Sequence, residues 1–286
     1  MKNLSSMLKL RWVQNNDGGS DKVNIIVCVK QVPSAEKVKL DEHTNTIIRD
    51  GTAAVINPVD LNALEEGLRI KERKGAGKVT AISMGIPSAV SILKYAISSG
   101  ADEGILLSDK AFAGSDTLAT AYVLAKGIDK LGSYDLIICG KQSVDGDTGQ
   151  VGPSLSERLG IPCLTNVHKV DLINEGTIRC QRFTEYGCEV IDMELPALIS
   201  VNKGINEPRI PTVKGSILAA RSKIIMWNEI DICAEPKYYG LAGSPTRVVK
   251  TFKQSYSMRG KLFEGSPKEQ ADALIEELMK SNIIQI

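Results

Sequence analysis

The 286-residue chain is predicted to form an α/β domain, in which helices cover both faces of a parallel sheet. Two observations predict this fold class. Short, almost continuous apolar runs alternate with segments whose apolar residues recur at helical spacing, and the changes fall at Gly, Pro, Asn or Asp. Strands and helices that alternate in this way form βαβ units, whose strands are parallel and buried on both faces.

The segment from residue 23 to about residue 160 supplies the alternating elements. Val23–Lys30 is the first buried strand, and a helix follows from Asn57-Pro58 to Gly75. Acidic residues near the start of this helix and basic residues at its end complement the helix dipole. The later strands are predicted at Val79–Met84, Gly104–Leu107 and Tyr134–Cys139, and the later helices at Ser88–Ser99, Asp116–Leu131 and near Gly152–Leu159.

After Pro162 the pattern becomes that of short antiparallel strands separated by turn residues. The strands are predicted at Leu164–Asp171, Thr177–Glu185 and Glu189–Glu194, and Ala197–Asn202 is expected to return to the main sheet. From residue 235 the chain has little periodicity before a closing helix at Lys268–Lys280. So long an irregular segment is more naturally an arm that lies on another subunit.

The expected organisation therefore has three parts. Residues 1–22 form a flexible extension, residues 23–234 an α/β nucleotide-binding domain with a small antiparallel insertion at 164–196, and residues 235–286 an extended C-terminal arm and helix that pack on a partner.

Composition and missing motifs exclude several classes of function. A net charge of +1 lacks the basic excess typical of nucleic-acid binding, and no apolar run is long enough for a membrane span. Six cysteines without a C-x-x-C pair and only two histidines make a metal site improbable. The first residues lack the apolar core of a signal peptide, so we expect a cytoplasmic location. Phosphate-binding, dinucleotide and nucleophile-elbow motifs are also absent, so we expect no catalytic side chain.

Ligands of open parallel sheets bind beyond the carboxyl ends of the strands, and residues 140–153 follow such an end. Glycines at 140, 146, 149 and 152 permit close approach of the backbone, and the helix that begins near Pro153 offers free N–H groups to a phosphate. From the residues alone, a nucleotide loop and an ordinary exposed connection remain equally open. Asp145 and Asp147 are better explained as turn residues than as a metal pair.

Several segments taken together resemble those of the β subunit of electron-transfer flavoproteins. They are Val27–Pro33, Ile56–Pro58 with Ala63–Lys71, Asp116–Ala121, Gly140–Gln142 with Asp145–Pro153, and Asn206–Pro211. The resemblance runs from Val23 to the C-terminus. It implies a Rossmann-like nucleotide-binding fold in a heterodimer with a larger α subunit, which carries an FAD.

The resemblance also implies a nucleotide in this subunit, AMP in simple members and a second FAD in electron-bifurcating members. The cofactor-binding residues carried over are Cys28, Asn57, Pro58, Asp60, Met84, Asp116, Thr117, Lys141, Gln142, Ser143, Val144, Asp145, Gly146, Asp147, Thr148, Gly149, Gln150, Val151 and Gly152. A recognition loop that docks a partner dehydrogenase corresponds to residues 203–215, with Asn206, Glu207, Pro208, Arg209 and Val213. Val213 stands where the family commonly has its apolar Leu anchor.

Val144–Pro153 and Asp60 look like the anaerobic bacterial, bifurcating branch, which favours FAD. The implied mechanism has NADH deliver a hydride to the β-bound flavin. One electron then passes to ferredoxin and the other, through the α-subunit flavin, to a flavin dehydrogenase of the acyl-CoA or 2-hydroxy acid type. The chain would be an electron-transfer subunit of a multi-subunit NAD-linked oxidoreductase complex. Two alternatives stay open, an AMP-binding shuttle of single electrons and a nucleotide-binding module without redox function.

Overall fold

The computed structural model describes residues 22–33, 39–40, 47–48, 54–174, 176–247, 249 and 260–284. The expected N-terminal extension lies outside these residues, apart from Lys22. The helices are α1 (Pro58–Lys74), α2 (Val90–Ser99), α3 (Thr117–Leu131), α4 (Val151–Leu159), α5 (Val213–Arg221) and α6 (Pro267–Lys280). The strands are β1 (Val23–Cys28), β2 (Gln31–Pro33), β3 (Lys39–Leu40), β4 (Ile47–Ile48), β5 (Ala54–Ile56), β6 (Gly77–Met84), β7 (Glu103–Leu107), β8 (Leu136–Gly140), β9 (Cys163–Asn174), β10 (Thr177–Thr184), β11 (Gly187–Glu194), β12 (Ala197–Val201) and β13 (Ile225–Trp227).

A nine-stranded sheet in the order β11-β10-β9-β12-β8-β1-β6-β7-β13 is the centre of the first of two compact units, which ends at Val249. In this sheet order, the seven strands β9, β12, β8, β1, β6, β7 and β13 are each parallel to their neighbours within that set. The predicted α/β class with a largely parallel sheet is therefore confirmed.

Helices lie on both faces of this sheet because its central strands are apolar on both sides. In β1, Ile25 and Val27 join the core that packs under α1 and α2. Ile26 and Cys28 point the other way, into the core under α3 and α4. The alternation of side chains along a strand thus explains why β1 is a continuous apolar run.

The predicted antiparallel strands after Pro162 are present as β9, β10 and β11, but they do not form a separate patch. β9 pairs in parallel with β12 and antiparallel with β10, so the meander extends the main sheet. The register between β9 and β10 shifts in two places, each an irregularity of the β-bulge type. β12 is the predicted return to the sheet.

Helix α5, strand β13 and the short strands β2 to β5 were not predicted from the sequence. α5 begins after Thr212, whose side chain accepts the amide of Gly215, so the last residues of the predicted 203–215 loop form a first helical turn. β13 has only three residues and lies at the edge of the sheet. A strand of three residues is too short to show periodicity, and α5 begins within a segment whose Pro and Gly residues predict a loop.

The strand order reverses beside β1. From β1 the chain passes through α1 to its neighbour β6 and through α2 to β7, and then returns through α3 to β8 on the other side of β1. The carboxyl ends of β1 and β8 therefore meet at a topological switch point, where the connections diverge and leave a crevice.

The second unit, Lys250–Ile286, contains α6, one residue longer at its start than predicted. Ser266 and Glu269 form a reciprocal capping box at its N-terminus. None of the side chains of α6 is buried. Among the described residues, every helix is too short or too polar to cross a membrane.

Candidate functional site at the switch point of the sheet

A cavity of about 380 Å³ opens at the carboxyl ends of β1, β6 and β8. Of the predicted cofactor-binding residues, Pro58, Val144, Asp145 and Asp147 do not line it, and all the others do. Those that line it are Cys28, Asn57, Asp60, Met84, Asp116, Thr117, Lys141, Gln142, Ser143, Gly146, Thr148, Gly149, Gln150, Val151 and Gly152. The residues that the sequence analysis did not assign to the site are Val29, Lys30, Ile82, Ser115, Thr120, Leu124, Cys139 and Gly140.

Periodicity and the positions of strand ends could have found five of these eight residues. Ile82 precedes Met84 by two positions on β6, and alternate residues of a strand share a face. Thr120 and Leu124 follow Asp116 at intervals of four along α3, which places them on one helical face. Lys30 and Gly140 stand at strand ends, where side chains of a parallel sheet reach the ligand crevice.

Asn57 connects the start of α1 to the glycine-rich loop 141–150. Its amide Nδ2 donates to the carbonyl of Gln142 (2.9 Å), and its Oδ1 accepts the amide of Val144 (3.1 Å). The side chain is fully buried and makes no capping hydrogen bond to its own helix. Pro58 provides the preformed first turn of α1, where the N–H that it lacks is not needed. Asn57 thus holds the loop, and Pro58 serves the helix.

Asp60 is a buried carboxylate at the floor of the cavity. Its Oδ2 accepts the amide of Lys30 (2.8 Å). Burial raises the pKa of Asp60 to about 7, against the opposite effect of hydrogen bonds from Asn57, Lys30 and Gly140. A Cβ atom at Gly140 would lie 2.3 Å from Asp60 Oδ1. Only glycine allows β8 to approach α1 so closely.

Lys30, whose carbonyl accepts the amide of Asn57 (2.9 Å), also binds the loop. Its Nζ lies 2.6 Å from Asp145 Oδ1 and 3.2 Å from Ser143 Oγ. Partial burial acts to raise the pKa of Asp145, but the hydrogen bonds from Lys30 and Ser143 and the charge of Lys30 together outweigh it, and the pKa is lowered. Asp147 accepts a hydrogen bond from Gln142 and has a positive φ of 49°. Asp145 and Asp147 are therefore engaged within the loop, which explains why neither lines the cavity.

Asp116 and Thr117 bring the N-terminus of α3 to the same cavity. Asp116 Oδ1 accepts the amides of Leu118 (3.0 Å) and Ala119 (3.1 Å) and so caps the helix. Thr117 Oγ1 lies 3.0 Å from Gln150 Oε1, at the residue that precedes α4. The N-termini of α3 and α4 thus lie side by side, and both present their positive dipole ends to the cavity.

The cavity wall includes two thiols that are not nucleophiles. Cys28 on β1 and Cys139 on β8 are neighbours in register and buried. Burial raises the pKa of Cys28 to about 12 and raises that of Cys139 as well. Both thiols are therefore protonated near neutral pH and act as small apolar wall residues. Among the described residues, no group of three or more His, Cys, Asp or Glu is arranged to hold a metal ion.

The predicted recognition residues do not line the cavity, and two of them, Asn206 and Arg209, contact α1. Asn206 is buried and exchanges hydrogen bonds with Asn62, and Arg209 forms ion pairs with Glu65 (2.8 Å) and Glu72 (2.5 Å). Glu207 and Pro208 are exposed, and Val213, the first residue of α5, is 80% exposed.

A parallel sheet with a cavity at its switch point, bordered by the N-termini of α1, α3 and α4, is the arrangement of α/β nucleotide-binding proteins. Comparison with known proteins gives the family. The chain belongs to the electron transfer flavoprotein family, because residues 44–229 match the family's profile, described as "Electron transfer flavoprotein domain". The resemblance seen in the sequence is thereby confirmed.

Full-length relatives agree with this assignment. The chain is 44% identical to the electron transfer flavoprotein subunit beta of Thermoanaerobacterium thermosaccharolyticum, over 92% of this chain and all of that protein. It is 40% identical to subunit CarD of the caffeyl-CoA reductase-Etf complex of Acetobacterium woodii, with the same coverage. It is 41% identical to FixA of Azotobacter vinelandii, over 88% of this chain and 93% of that protein. These comparisons support the electron-transfer function of a β subunit.

Proposed function

We propose that the cavity binds an adenine nucleotide, FAD rather than AMP, and that the chain works as the β subunit of an electron-bifurcating electron-transfer flavoprotein. The observation that carries this proposal is the cavity itself. It joins two helix N-termini and basic side chains, which suit phosphates, to an apolar wall that suits a flat ring.

The residues present fit such a nucleotide. Lys141 and the positive dipole ends of α3 and α4 offer favourable charge to phosphate oxygens, and the amides at the start of α4 have no side-chain cap. Ile82, Met84 and Leu124 supply the apolar surface. A flavin held there would accept a hydride and release electrons singly.

The protein's part is to position the nucleotide and to set its surroundings. Asn57 and Lys30 both bind the 141–150 loop, which lines the cavity. Asp60, with its pKa near 7, is a carboxyl group that can accept a hydrogen bond from the ligand when ionised or donate one when protonated. The described residues thus supply binding, orientation and local charge, while the redox chemistry belongs to the cofactor.

The bifurcating role is favoured over simple electron shuttling by the relatives. CarD is named as a subunit of a caffeyl-CoA reductase-Etf complex. Another relative, 42% identical over 92% of this chain, is the electron transfer flavoprotein subunit beta of Clostridium acetobutylicum. We accordingly propose as partners an α subunit with its own FAD, NAD(H), ferredoxin and a flavin dehydrogenase of the acyl-CoA or 2-hydroxy acid type. We further propose that the complex is cytoplasmic.

We propose the segment Asn206–Gly215 as the docking site for that dehydrogenase. Ile210 and Val213 are 87% and 80% exposed, although both are apolar. Asn206 and Arg209 bind residues of α1 and so fix the position of the segment. Its exposed apolar side chains are therefore held in place by these contacts.

The deciding experiment is to purify the full-length chain with its α subunit, denature the complex and quantify the released nucleotides by chromatography. Two FAD per heterodimer support the proposal, and NADH should then reduce ferredoxin only when the acceptor dehydrogenase is also supplied.

The alternatives give different results in the same experiment. One FAD and one AMP would identify a simple carrier of single electrons. A colourless complex that contains ATP would indicate a nucleotide-binding module without redox function, and a folded complex with no nucleotide would contradict the site assignment.

A further inference from the structure

A short segment that does not line the cavity is hydrogen-bonded to residues that do. We call this segment, Gly240–Thr246, the pocket strap. The amide of Gly240 donates to Ser115 Oγ (2.9 Å), and Ser244 Oγ accepts the amide of Asp116 (2.9 Å). Both Ser115 and Asp116 belong to the cavity wall.

Asp116 is the centre of this contact because its two carboxylate oxygens have different partners. Oδ1 caps α3 through the amides of Leu118 and Ala119. Oδ2 accepts both the amide (3.0 Å) and the hydroxyl (2.8 Å) of Thr246. Partial burial acts to raise the pKa of this carboxyl, but these hydrogen bonds outweigh it and the pKa is lowered. An ionised Asp116 is therefore held from both sides.

The strap is packed closely against the start of α3. Gly240 has a φ of 60°, and a Cβ there would lie 2.3 Å from the carbonyl oxygen of Ala111. A Cβ at Gly114 would lie 2.5 Å from Leu241 Cδ2. Contacts this close show a built interface rather than a chain that merely passes the site.

We infer that Ser244 and Thr246 are positioning residues of the nucleotide site. They fix the rotamer of Asp116 and, through it, the N-terminus of α3, where Asp116, Thr117 and Thr120 line the cavity. A cavity wall that is already in place binds a ligand without a further ordering cost, so loss of the strap contacts weakens binding even though no strap residue lines the cavity. The inference rests on the proposed nucleotide function of the cavity.

The test uses the full-length chain purified with its α subunit. Thr246→Val removes the hydroxyl donor and keeps the shape, Thr246→Ser keeps the hydroxyl, and Ser244→Ala removes the second contact. Thr184→Val is a matched control, because Thr184 Oγ1 makes comparable local contacts with Gly187 and Tyr186 in the turn between β10 and β11.

The measurement is the rate at which bound nucleotide is released into excess free AMP or FAD, read by chromatography, with the melting temperature recorded alongside. Thr246→Val and Ser244→Ala should release nucleotide about five- to tenfold faster than wild type, the effect of losing one hydrogen bond to or beside a charged group. Thr246→Ser and Thr184→Val should behave as wild type.

The outcomes separate this inference from the proposal on which it rests. Equal release rates for Thr246→Val and wild type overturn the inference alone. The inference is also overturned if Thr246→Ser releases nucleotide faster than wild type and has a lower melting temperature. That result would show that Thr246 has a structural role only. A wild-type complex without nucleotide overturns both the inference and the proposed function.

Discussion

Lys30 and Asn57 hold the same loop from the ends of neighbouring elements. Lys30 reaches Asp145 and Ser143, and Asn57 binds the backbone of Gln142 and Val144. At the residue scale the cavity therefore depends on side chains that fix its loop as well as on side chains that face a ligand. Such supporting contacts make a binding site rigid before the ligand arrives.

Lys30→Met should speed nucleotide release several-fold while the melting temperature of the complex changes little. The ion pair is partly exposed, and exposed pairs contribute only about 0–1 kcal/mol to stability. Its effect should appear in the closure of the loop, measured as the rate of nucleotide release. Lys78→Met is the matched control, since Lys78 forms a similarly exposed 2.6 Å pair with Glu103. Equal release rates in the two variants would contradict a role for Lys30 in closing the loop.

Asp60→Asn should flatten the dependence of stability on pH. The folded state holds a proton on Asp60 up to about pH 7, whereas an ordinary aspartate loses it near pH 4. The free energy of unfolding of the wild type therefore falls as pH rises from about 4 to about 7 and is then level. The asparagine variant lacks this contribution, which is on the order of a few kcal/mol. Urea denaturation of the nucleotide-free chain at pH 5 and pH 8 measures it.

Asp145→Asn serves as the control for that measurement. The pKa of Asp145 is lowered in the folded state, so its contribution is present above the unfolded pKa and is lost only as pH falls below about 4. Between pH 5 and pH 8 this variant should follow the wild type. If Asp60→Asn also follows the wild type there, Asp60 is not protonated in the folded protein.

Helix α1 links the two regions that the proposal needs. Asn57 and Asp60 at its start belong to the cavity. One to two turns further along the helix, Asn206 is bound by Asn62 and Glu66. Arg209 is bound by Glu65. At the scale of elements, one helix therefore positions both the 141–150 loop and the segment that we propose as a docking site.

Val213→Asp should reduce electron transfer to the partner dehydrogenase at least tenfold while the nucleotide content stays the same. A charge in an apolar contact at the centre of an interface is costly, and Val213 lies away from the cavity lining. The measurement is the reduction rate of the dehydrogenase by the reconstituted heterodimer. Val190→Asp, at a 60% exposed valine of β11, is the control. Wild-type transfer by Val213→Asp would exclude the docking assignment.

At the scale of the whole molecule, the chain divides into a large unit that contains the cavity and a small unit, Lys250–Ile286. Helix α6 of the small unit has Leu274, Ile275 and Met279 on one side, each between 40 and 45% exposed. An amphipathic helix with no buried side chain has an apolar stripe available for another surface. We propose that the apolar stripe of α6 packs on the α subunit, as was expected from the sequence for residues 235–286.

A chain that ends at Val249 should fold and keep its melting temperature within about 2 °C, but it should bind the α subunit much more weakly. The reason is that the large unit has its own core, whereas the small unit has only the exposed stripe. Size-exclusion chromatography with the α subunit measures the association. The double variant Leu274→Asp and Met279→Asp should weaken it as well, and the exposed Glu276→Gln should not. Unchanged association of the shortened chain would contradict the proposal.

The sequence predicted most elements because their signals are local. The cap of α3 at Asp116, Pro58 at the start of α1 and Gly75 at its end are read within a few residues. The strand ends and the glycine loop 140–153 could be found in the same way, and they led to most of the cavity lining. The family was recognised from the order and spacing of such short segments.

Contacts between segments that are distant in the chain could not be predicted from such local signals. Lys30 meets Asp145 across 115 positions, and Asp116 meets Thr246 across 130. The extension of the main sheet by β9, β10 and β11 likewise depends on β9 pairing with β12, and α5 begins inside the 203–215 segment that was expected to be a loop.

The sequence by itself thus determined the fold class, the positions of most helices and strands, and the segment most suited to a nucleotide. These features follow from backbone preference and apolar periodicity, which act over one or two turns. Only the tertiary structure decided the strand order, the burial that raises the pKa of Asp60, and the side chains that hold the loop and the strap. Those depend on which surfaces meet, and packing between elements, not local preference, selects the surfaces that meet.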